Sequence, residues 1–514
     1  IGIATHPTEY VGYSNVLLGY LLERLFSWFP LVPWYGMFLF AVQLFSSGSM
    51  LWLICRDGDK YFRLLLFIGA WFGVYFLFFA FLQFDMTAVL AAQAGILLFA
   101  FSMEALPPGE RSGPLLFSTA LLFLSGLIRF EAPFLVFLLF LPWWASKAVS
   151  RETRRGFFGG KFWASLVVLA FSALWIFQFA WFQRDGRWRE FADFDHARVT
   201  LQDYRILRYS PETQPVFKAV GWTENDLWLF KNWFLADSRK YNSPVFQALA
   251  GRFPRFGSEG KTASFHSLPE LIGSAWDRRI LLYCLAFLAL CPVRSWRVLV
   301  PQGLWLLALL WFLIYVLRAP DRLTLPLEAS VMGCYLLNSR TPFSPDHGPV
   351  GLNFYVRMIR FLALVFLFLA PFSAWEDQMP IQHRFREAEK RMHESIRRLS
   401  PKDDQLFVTW SFPYEAIGAF DDLECFRHFH VFPTTFFQTC PATMELAGEF
   451  GVHNPFRDVV DNPRVFLNCS QEEGLHFHDY LAENYGLDAG ARKIFDCELF
   501  KIYAIHSVEK AKGS

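Results

Sequence analysis

Several things are missing from this chain of 514 residues, and each absence narrows what it does. It has no surplus of charge: 48 Lys and Arg stand against 47 Asp and Glu, a formal net charge of +1. Neutralising a phosphate backbone needs a basic field, so nucleic acid is excluded as a partner. No Walker loop, no Gly-rich dinucleotide fingerprint and no GxSxG elbow occurs, which removes the usual routes to soluble nucleotide and serine-hydrolase chemistry. The first residues form neither a basic n-region nor an apolar h-region. What replaces these features is apolar surface. Hydrophobic residues make up 54% of the chain and aromatics 19%, with 60 Phe. Soluble domains carry far fewer aromatics, so a bilayer is the natural solvent for this excess.

The apolar runs divide the chain. Segments near 31–55, 61–83, 86–106, 114–128, 130–146, 161–182, 279–293, 296–317, 322–338 and 358–375 read as about ten membrane segments. The predicted fold is therefore an α-helical polytopic membrane protein with a C-terminal exported α/β domain. Its parts are an outer-face loop and interfacial helix over 1–30 and transmembrane helices over 31–182. A large extracytoplasmic loop over 183–278, further transmembrane helices over 279–375 and a soluble domain over 376–514 complete it.

One apparent span needs dividing. The run from Leu115 to Ala145 carries Arg129 and Glu131 at its middle, followed by Pro133. Two short segments meeting at a polar break put the basic loops around Arg56, Arg111, Lys147 to Lys161, Arg294 and Arg340 on one side, as cytoplasmic Lys and Arg require. That topology places the first residues, the 183–278 loop and everything after 376 outside the cytoplasm. The segment from Val11 to Pro30 is amphipathic, carries Glu23 and Arg24, and reads as an interfacial helix. In the tail, the apolar runs 406–410, 465–468 and 499–504 alternate with helical patterns over 384–399 and 472–485, the rhythm of an α/β unit. Cys425, Cys440, Cys469 and Cys497 all fall there, and an exported domain predicts two disulfides among them, although reduced thiols also fit. Asn468-Cys469-Ser470 fits a glycosylation sequon.

Ionisable groups inside spans are costly and are functional hypotheses by default. Arg129 and Glu131 sit at the polar break, where the bland reading is a structural ion pair capping two half-helices. Arg318, Asp321 and Arg322 form a short outer loop, where two arginines suit an anionic lipid phosphate or pair with Asp321 and Glu328. Asp85 opens a span, as a catalytic or metal-binding carboxylate or as a plain N-cap. Trp222 and Asp226, with Trp228, Trp233 and Asp237, interleave rings and polar groups as sugar binding requires and as a membrane-surface loop also does. The pairs His428 with His430 and His476 with His478 are weak zinc signals, and ordinary surface histidines are the plainer reading.

Taken together, His6-Pro-Thr-Glu9-Tyr with Ser14-Asn15, Asp85-Met-Thr87, Leu127-Ile-Arg129-Phe-Glu131, Gly221-Trp-Thr-Glu-Asn-Asp226 and Arg318-Ala-Pro-Asp-Arg322 resemble the GT-C superfamily of polytopic glycosyltransferases, in a poorly characterised bacterial branch. The resemblance implies transfer of a sugar from a polyprenyl-phosphate donor at the outer face of a bacterial inner membrane, with the C-terminal domain periplasmic. It implies Glu9 and Asp85 as catalytic carboxylates and Arg129, Glu131, Arg318, Asp321, Arg322, Trp222 and Asp226 as substrate-binding residues. It allows a divalent cation as cofactor without naming a metal ligand, and it makes membrane lipid and the lipid-linked donor the partners. It also implies that a first span and an acidic motif precede Ile1. The alternative is a non-catalytic scaffold subunit of a cell-envelope complex, whose C-terminal domain docks a protein partner.

Overall fold

A computed structural model describes residues 8–56, 82–145, 161–254, 383–410 and 423–508, with single-residue gaps and a few isolated positions elsewhere. The described chain forms a helical bundle followed by a mixed lobe. The bundle contains α1 (Val16–Trp28), α2 (Trp34–Arg56), α3 (Phe84–Ala105), α4 (Ser112–Ile128), α5 (Ala132–Leu139) and α6 (Lys161–Arg184).

Helix α3 is apolar on every side and is the hub of the bundle. Ala88, Val89, Leu90, Ala91 and Ala92 are all buried, and α2, α4 and α5 pack around them. Small residues set the spacing: a Cβ on Gly95 would meet Leu122 Cγ at 2.8 Å, and one on Gly126 would meet Phe171 Cε1 at 2.6 Å. Ser118 Oγ donates to the Gly95 carbonyl and Ser125 Oγ to the Ala88 carbonyl, each at 2.7 Å. Close backbones tied by hydroxyls are how helices associate where no hydrophobic drive separates side chain from lipid.

Those two bonds also run α4 antiparallel to α3. After α4 the chain breaks at Arg129-Phe130-Glu131, with Pro133 in the first turn of α5. The direction then reverses, because Trp144, just past α5, meets Phe99 edge-on at 6.4 Å, far down α3 from Asp85. The split of the 115–145 run is thus present.

Among the described residues three helices are long and apolar enough to cross a membrane, Trp34–Leu53, Phe84–Met103 and Phe162–Arg184, and Ser112–Ile128 is a shorter apolar helix. Along α6, Val168, Leu169, Trp175, Ile176 and Phe179 are all exposed, the surface a lipid-facing helix carries. The count of ten is not shown. Segments near 61–83, 279–293, 296–317, 322–338 and 358–375 lie outside the described residues apart from isolated positions.

Residues 183–254, read from the sequence as part of a large extracytoplasmic loop, form helices that share a core with the C-terminal region. Helices α7 (Gly186–Gln202), α8 (Gln214–Ala219), α9 (Glu224–Lys231) and α10 (Ser243–Ala250) bring Phe217, Trp222, Phe230, Phe234 and Phe246 into one hydrophobic core with Leu406, Val408, Phe432, Val465 and Leu467 of the sheet. The reason is layer geometry. The helices of 183–254 present an apolar face, and one face of the sheet with its helices covers it.

The sheet has strands β1 (Leu406–Thr409), β2 (His430–Pro433), β3 (Val465–Asn468), β4 (Ala489–Asp496) and β5 (Lys501–Ser507) in the order β2-β1-β3-β5-β4. The first three are parallel and the β4–β5 hairpin is antiparallel. Helices α11 (Pro441–Glu449) and α12 (Gln471–Tyr485) cover one face with the 183–254 helices, and Met392 and Ile396 of the helix over 386–399 cover the other. Ser470 and Glu473 form a capping box that starts α12, and Gly486 in the left-handed region ends it.

The expected pair of disulfides is not formed. Cys440, Cys469 and Cys497 are free thiols. Burial pushes the Cys469 thiol up to about 12, with Glu473 adding to the effect, and burial raises Cys440 too. Both behave as small core hydrophobes.

Asp237 joins the lobe's two parts. Its fully buried carboxylate accepts from Tyr480 Oη at 2.9 Å and Tyr485 Oη at 2.6 Å on α12, and from Arg239 Nη2 at 2.9 Å. Burial alone pushes this carboxyl up, but the bonds from Arg239, Tyr485 and Tyr480 outweigh it and hold Asp237 below the ordinary carboxylate range. Its stabilisation is therefore complete above the unfolded value of about 3.9 and is lost as pH falls through the lower native value. Asp237→Ala, which leaves the buried Tyr480 hydroxyl and the half-buried Tyr485 hydroxyl without their acceptor, is expected to cost about 3 kcal/mol. Chemical unfolding followed by a lobe signal checks this, and a change under about 0.5 kcal/mol, the scale of a neutral surface substitution, contradicts it.

Candidate functional site

The polar groups of the bundle gather where α4 ends and α3 begins. Asp85, in the first turn of α3, is almost fully buried, and Arg129 Nη1 reaches its carboxylate at 2.9 Å. Arg129 Nε lies 3.3 Å from Glu131 Oε2, and Glu131 keeps 64% of its side chain exposed. The guanidinium carbon stands 5.3 Å from the Tyr13 ring centroid and 5.9 Å from that of Phe84, with the two rings parallel. Arg129 is thus held along one edge by carboxylates and against ring faces, and 23% of its side chain stays accessible.

The segment before α1 closes this end. Tyr13 adopts φ +66°, a left-handed conformation that costs energy for a residue with a Cβ. That turn lays the half-exposed Tyr13 ring over Arg129 and sends Ser14 and Asn15 inward. Asn15 then makes three bonds at once. Its backbone N–H donates to the Leu127 carbonyl at 2.8 Å, its Nδ2 donates to the Leu174 carbonyl at 3.3 Å, and its Oδ1 accepts from Leu17 N as the N-cap of α1. Gln178 Oε1 of α6 takes the Val16 N–H at 2.9 Å. Tyr35 of α2 lies beside Ser14 and Asp85, and Gln43 Nε2 donates to Thr87 Oγ1 at 2.8 Å.

Glu9 stands at the other end of the same strap. It accepts from Trp181 Nε1 at 3.3 Å, and the strap lies so close to α1 that a Cβ on Gly19 would fall 1.8 Å from the Glu9 carbonyl oxygen. Only glycine fits there. Tyr10 stacks on Trp188 at 3.8 Å, and burial, then the charges of Glu9 and Asp185, push its hydroxyl up to about 12.

The expected site residues separate into groups. Asp85, Arg129 and Glu131 come together. Asp85 is buried and paired with Arg129. Trp222 and Asp226 lie apart from that group, buried in the lobe. Trp222 Nε1 donates to the Lys240 carbonyl, while Asp226 caps α9 with Thr223 and pairs with Lys240 Nζ at 3.2 Å. Arg318, Asp321 and Arg322 lie outside the described residues, as does His6.

Among the described residues no group of three His, Cys, Asp or Glu side chains is placed to hold a metal ion. His428 and His430 converge on Asp403, at 2.5 and 3.9 Å, and His476 stacks on Trp228 while bonding Asn225. Asn468 is 1% exposed, so its sequon is closed to modification in the folded chain.

Tyr13, Tyr35 and Gln43 were not singled out in the sequence. Gln43, a lone amide within an apolar run, was the one legible signal, since a polar group in a span is costly. Comparison with protein-family profiles, curated proteins and solved structures returns no match.

Asn15→Ala removes a cap and the buried bond from Nδ2 to the Leu174 carbonyl, and is expected to cost about 2 kcal/mol. Asn15→Ser, which keeps the cap alone, recovers part of that loss. Thermal unfolding of the purified protein measures both, and equal stability of all three forms contradicts the docking role.

Proposed function

We propose that this chain is a membrane-embedded glycosyltransferase that binds a polyprenyl-phosphate sugar at the Asp85–Arg129 end of the bundle. The observation that carries this reading is Arg129: a guanidinium fixed by a buried carboxylate, flanked by aromatic rings and still partly open. Arginine offers a planar fork matched to phosphate oxygens, and here it costs little further ordering to use it.

In the proposed reaction the acceptor hydroxyl oxygen attacks the anomeric carbon of the donor. The bond from that carbon to the phosphate oxygen breaks, and its electron pair leaves on the polyprenyl phosphate. Arg129, joined by Arg318 and Arg322, stabilises the departing phosphate. Glu131, the exposed carboxylate of the cluster, takes the acceptor's proton, and Glu9 is the second carboxylate on this side. The exposed apolar face of α1, with Leu17, Tyr20, Leu21 and Trp28 beside Arg24, suits an interfacial helix next to a lipid substrate. On this reading the protein sits in a bacterial inner membrane with its lobe in the periplasm, where a protein partner also has access.

The test uses the protein in nanodiscs with a radiolabelled polyprenyl-phosphate sugar. Bound donor is expected, and Glu131→Gln is expected to lower transfer about 100-fold or more with donor affinity nearly unchanged. Failure of the donor to bind overturns the proposal, and a stoichiometric copurifying protein with no donor binding favours the scaffold reading instead.

A further inference from the structure

The helix over 386–399 lays Met392 and Ile396 on the sheet, and its opposite side is strongly basic. Residues 384–398 hold six Lys or Arg against three Glu, in a chain whose net charge is only +1. The charges are not spread evenly around the helix. Arg386, Lys390 and Arg397 fall within about 40° of one another about the axis, in a row about 16 Å long. All three are exposed.

The other charges of this helix have their own contacts. Glu387 pairs with His383 at 3.2 Å and with Arg391 at 3.6 Å, and the Arg398 guanidinium carbon stands 5.8 Å from the Phe495 ring centroid. Among the described residues Arg386, Lys390 and Arg397 form no ion pair, although Glu394 lies within about one turn of both Lys390 and Arg397. Like charges a turn apart repel, so the row weakens the helix slightly and gains from an outside counter-charge. Its place in the chain says which anion is at hand. The apolar run near 358–375 ends eight residues before Arg384. A tether of that length reaches at most about 30 Å, which keeps the helix near the end of that run.

We infer that the edge of this helix formed by Arg386, Lys390 and Arg397 docks on the anionic phospholipid headgroups of the membrane surface. Lys and Arg clustered beside a membrane segment are drawn to negatively charged headgroups, each cation adding to the attraction. Arg386 and Arg397 also present planar forks of donors that match phosphate oxygens. Docking holds the lobe against the bilayer on the side of the sheet opposite the helices of 183–254. The inference rests on the 358–375 run lying in a membrane and not on the donor reading, since it concerns the lobe and not the Arg129 site.

Thermal unfolding of the full chain tests it, in nanodiscs of phosphatidylcholine with and without phosphatidylglycerol. The anionic lipid is expected to raise Tm by about 2 °C or more. Salt at about 1 M, which shortens the screening length to about 3 Å, is expected to abolish the rise. The triple variant Arg386→Gln, Lys390→Gln and Arg397→Gln is expected to match the wild type in phosphatidylcholine, because glutamine keeps the helix and no native ion pair is lost. The same variant is expected to lose most of the response to phosphatidylglycerol. Arg386→Lys with Arg397→Lys, which keeps the charge, is expected to retain most of it. A wild type indifferent to phosphatidylglycerol overturns the inference. So does a response that the triple variant keeps in full, which would place the lipid contact on another basic segment. An acidic protein that copurifies with the wild type and not with the triple variant, with no response to lipid, assigns the row to a protein partner and also overturns it.

Discussion

Asp85 is a negative charge buried among apolar helices, and the arrangement of the bundle follows from the need to neutralise it. An isolated carboxylate in that setting carries a penalty of several kcal/mol, which Arg129 offsets only when brought within hydrogen-bonding distance. The chain does this by ending α4 at Arg129, turning through Phe130 and Glu131, and reversing into α5. Interrupting a helix frees backbone groups as well, and the freed Leu127 carbonyl takes the N–H of Asn15. The ion pair, the helix break and the docking of α1 are therefore parts of one arrangement. The accessible edge of Arg129 is what gives it a chemical use.

A different constraint shapes the lobe. The helices of 183–254 and one face of the small sheet, with α11 and α12, bury their apolar surfaces in a single core. Their shared core is cemented by polar bonds whose partners lie far apart in sequence: Asp237 with Tyr480 and Tyr485, Gln438 with Leu235 and Trp233, and Trp410 with Asn232. Pairings of this kind bury polar groups at no net loss of hydrogen bonds and fix one register between the parts. Since α7 follows α6 after only Asp185, the lobe is anchored directly to an apolar helix of the bundle.

Local signals in the sequence were legible. Charges in mid-run followed by Pro133 marked the break at Arg129, the helical pattern over 472–485 marked α12, and short apolar runs marked β1, β3 and β5. Strand β4 was not legible, because as an exposed edge strand bearing Arg492 and Lys493 it lacks the alternation that burial on one face imposes. At Trp222 and Asp226 one sequence pattern fits two roles. Rings interleaved with carboxylates suit a sugar site, but Thr223-x-x-Asp226 is also a capping box and Trp222 an ordinary core residue. The joint core was out of reach, because two amphipathic regions do not declare which surface each will cover.

The account depends most on Asp85 and Arg129 forming one unit, and a double-mutant cycle measures that directly. Asp85→Leu, Arg129→Leu and the double substitution are compared by unfolding in one detergent or nanodisc system. The account predicts that each single variant loses about 3 kcal/mol or more, and that the double variant is more stable than at least one of them, because removing both partners leaves no unpaired buried charge. Simple additivity of the two losses would contradict it.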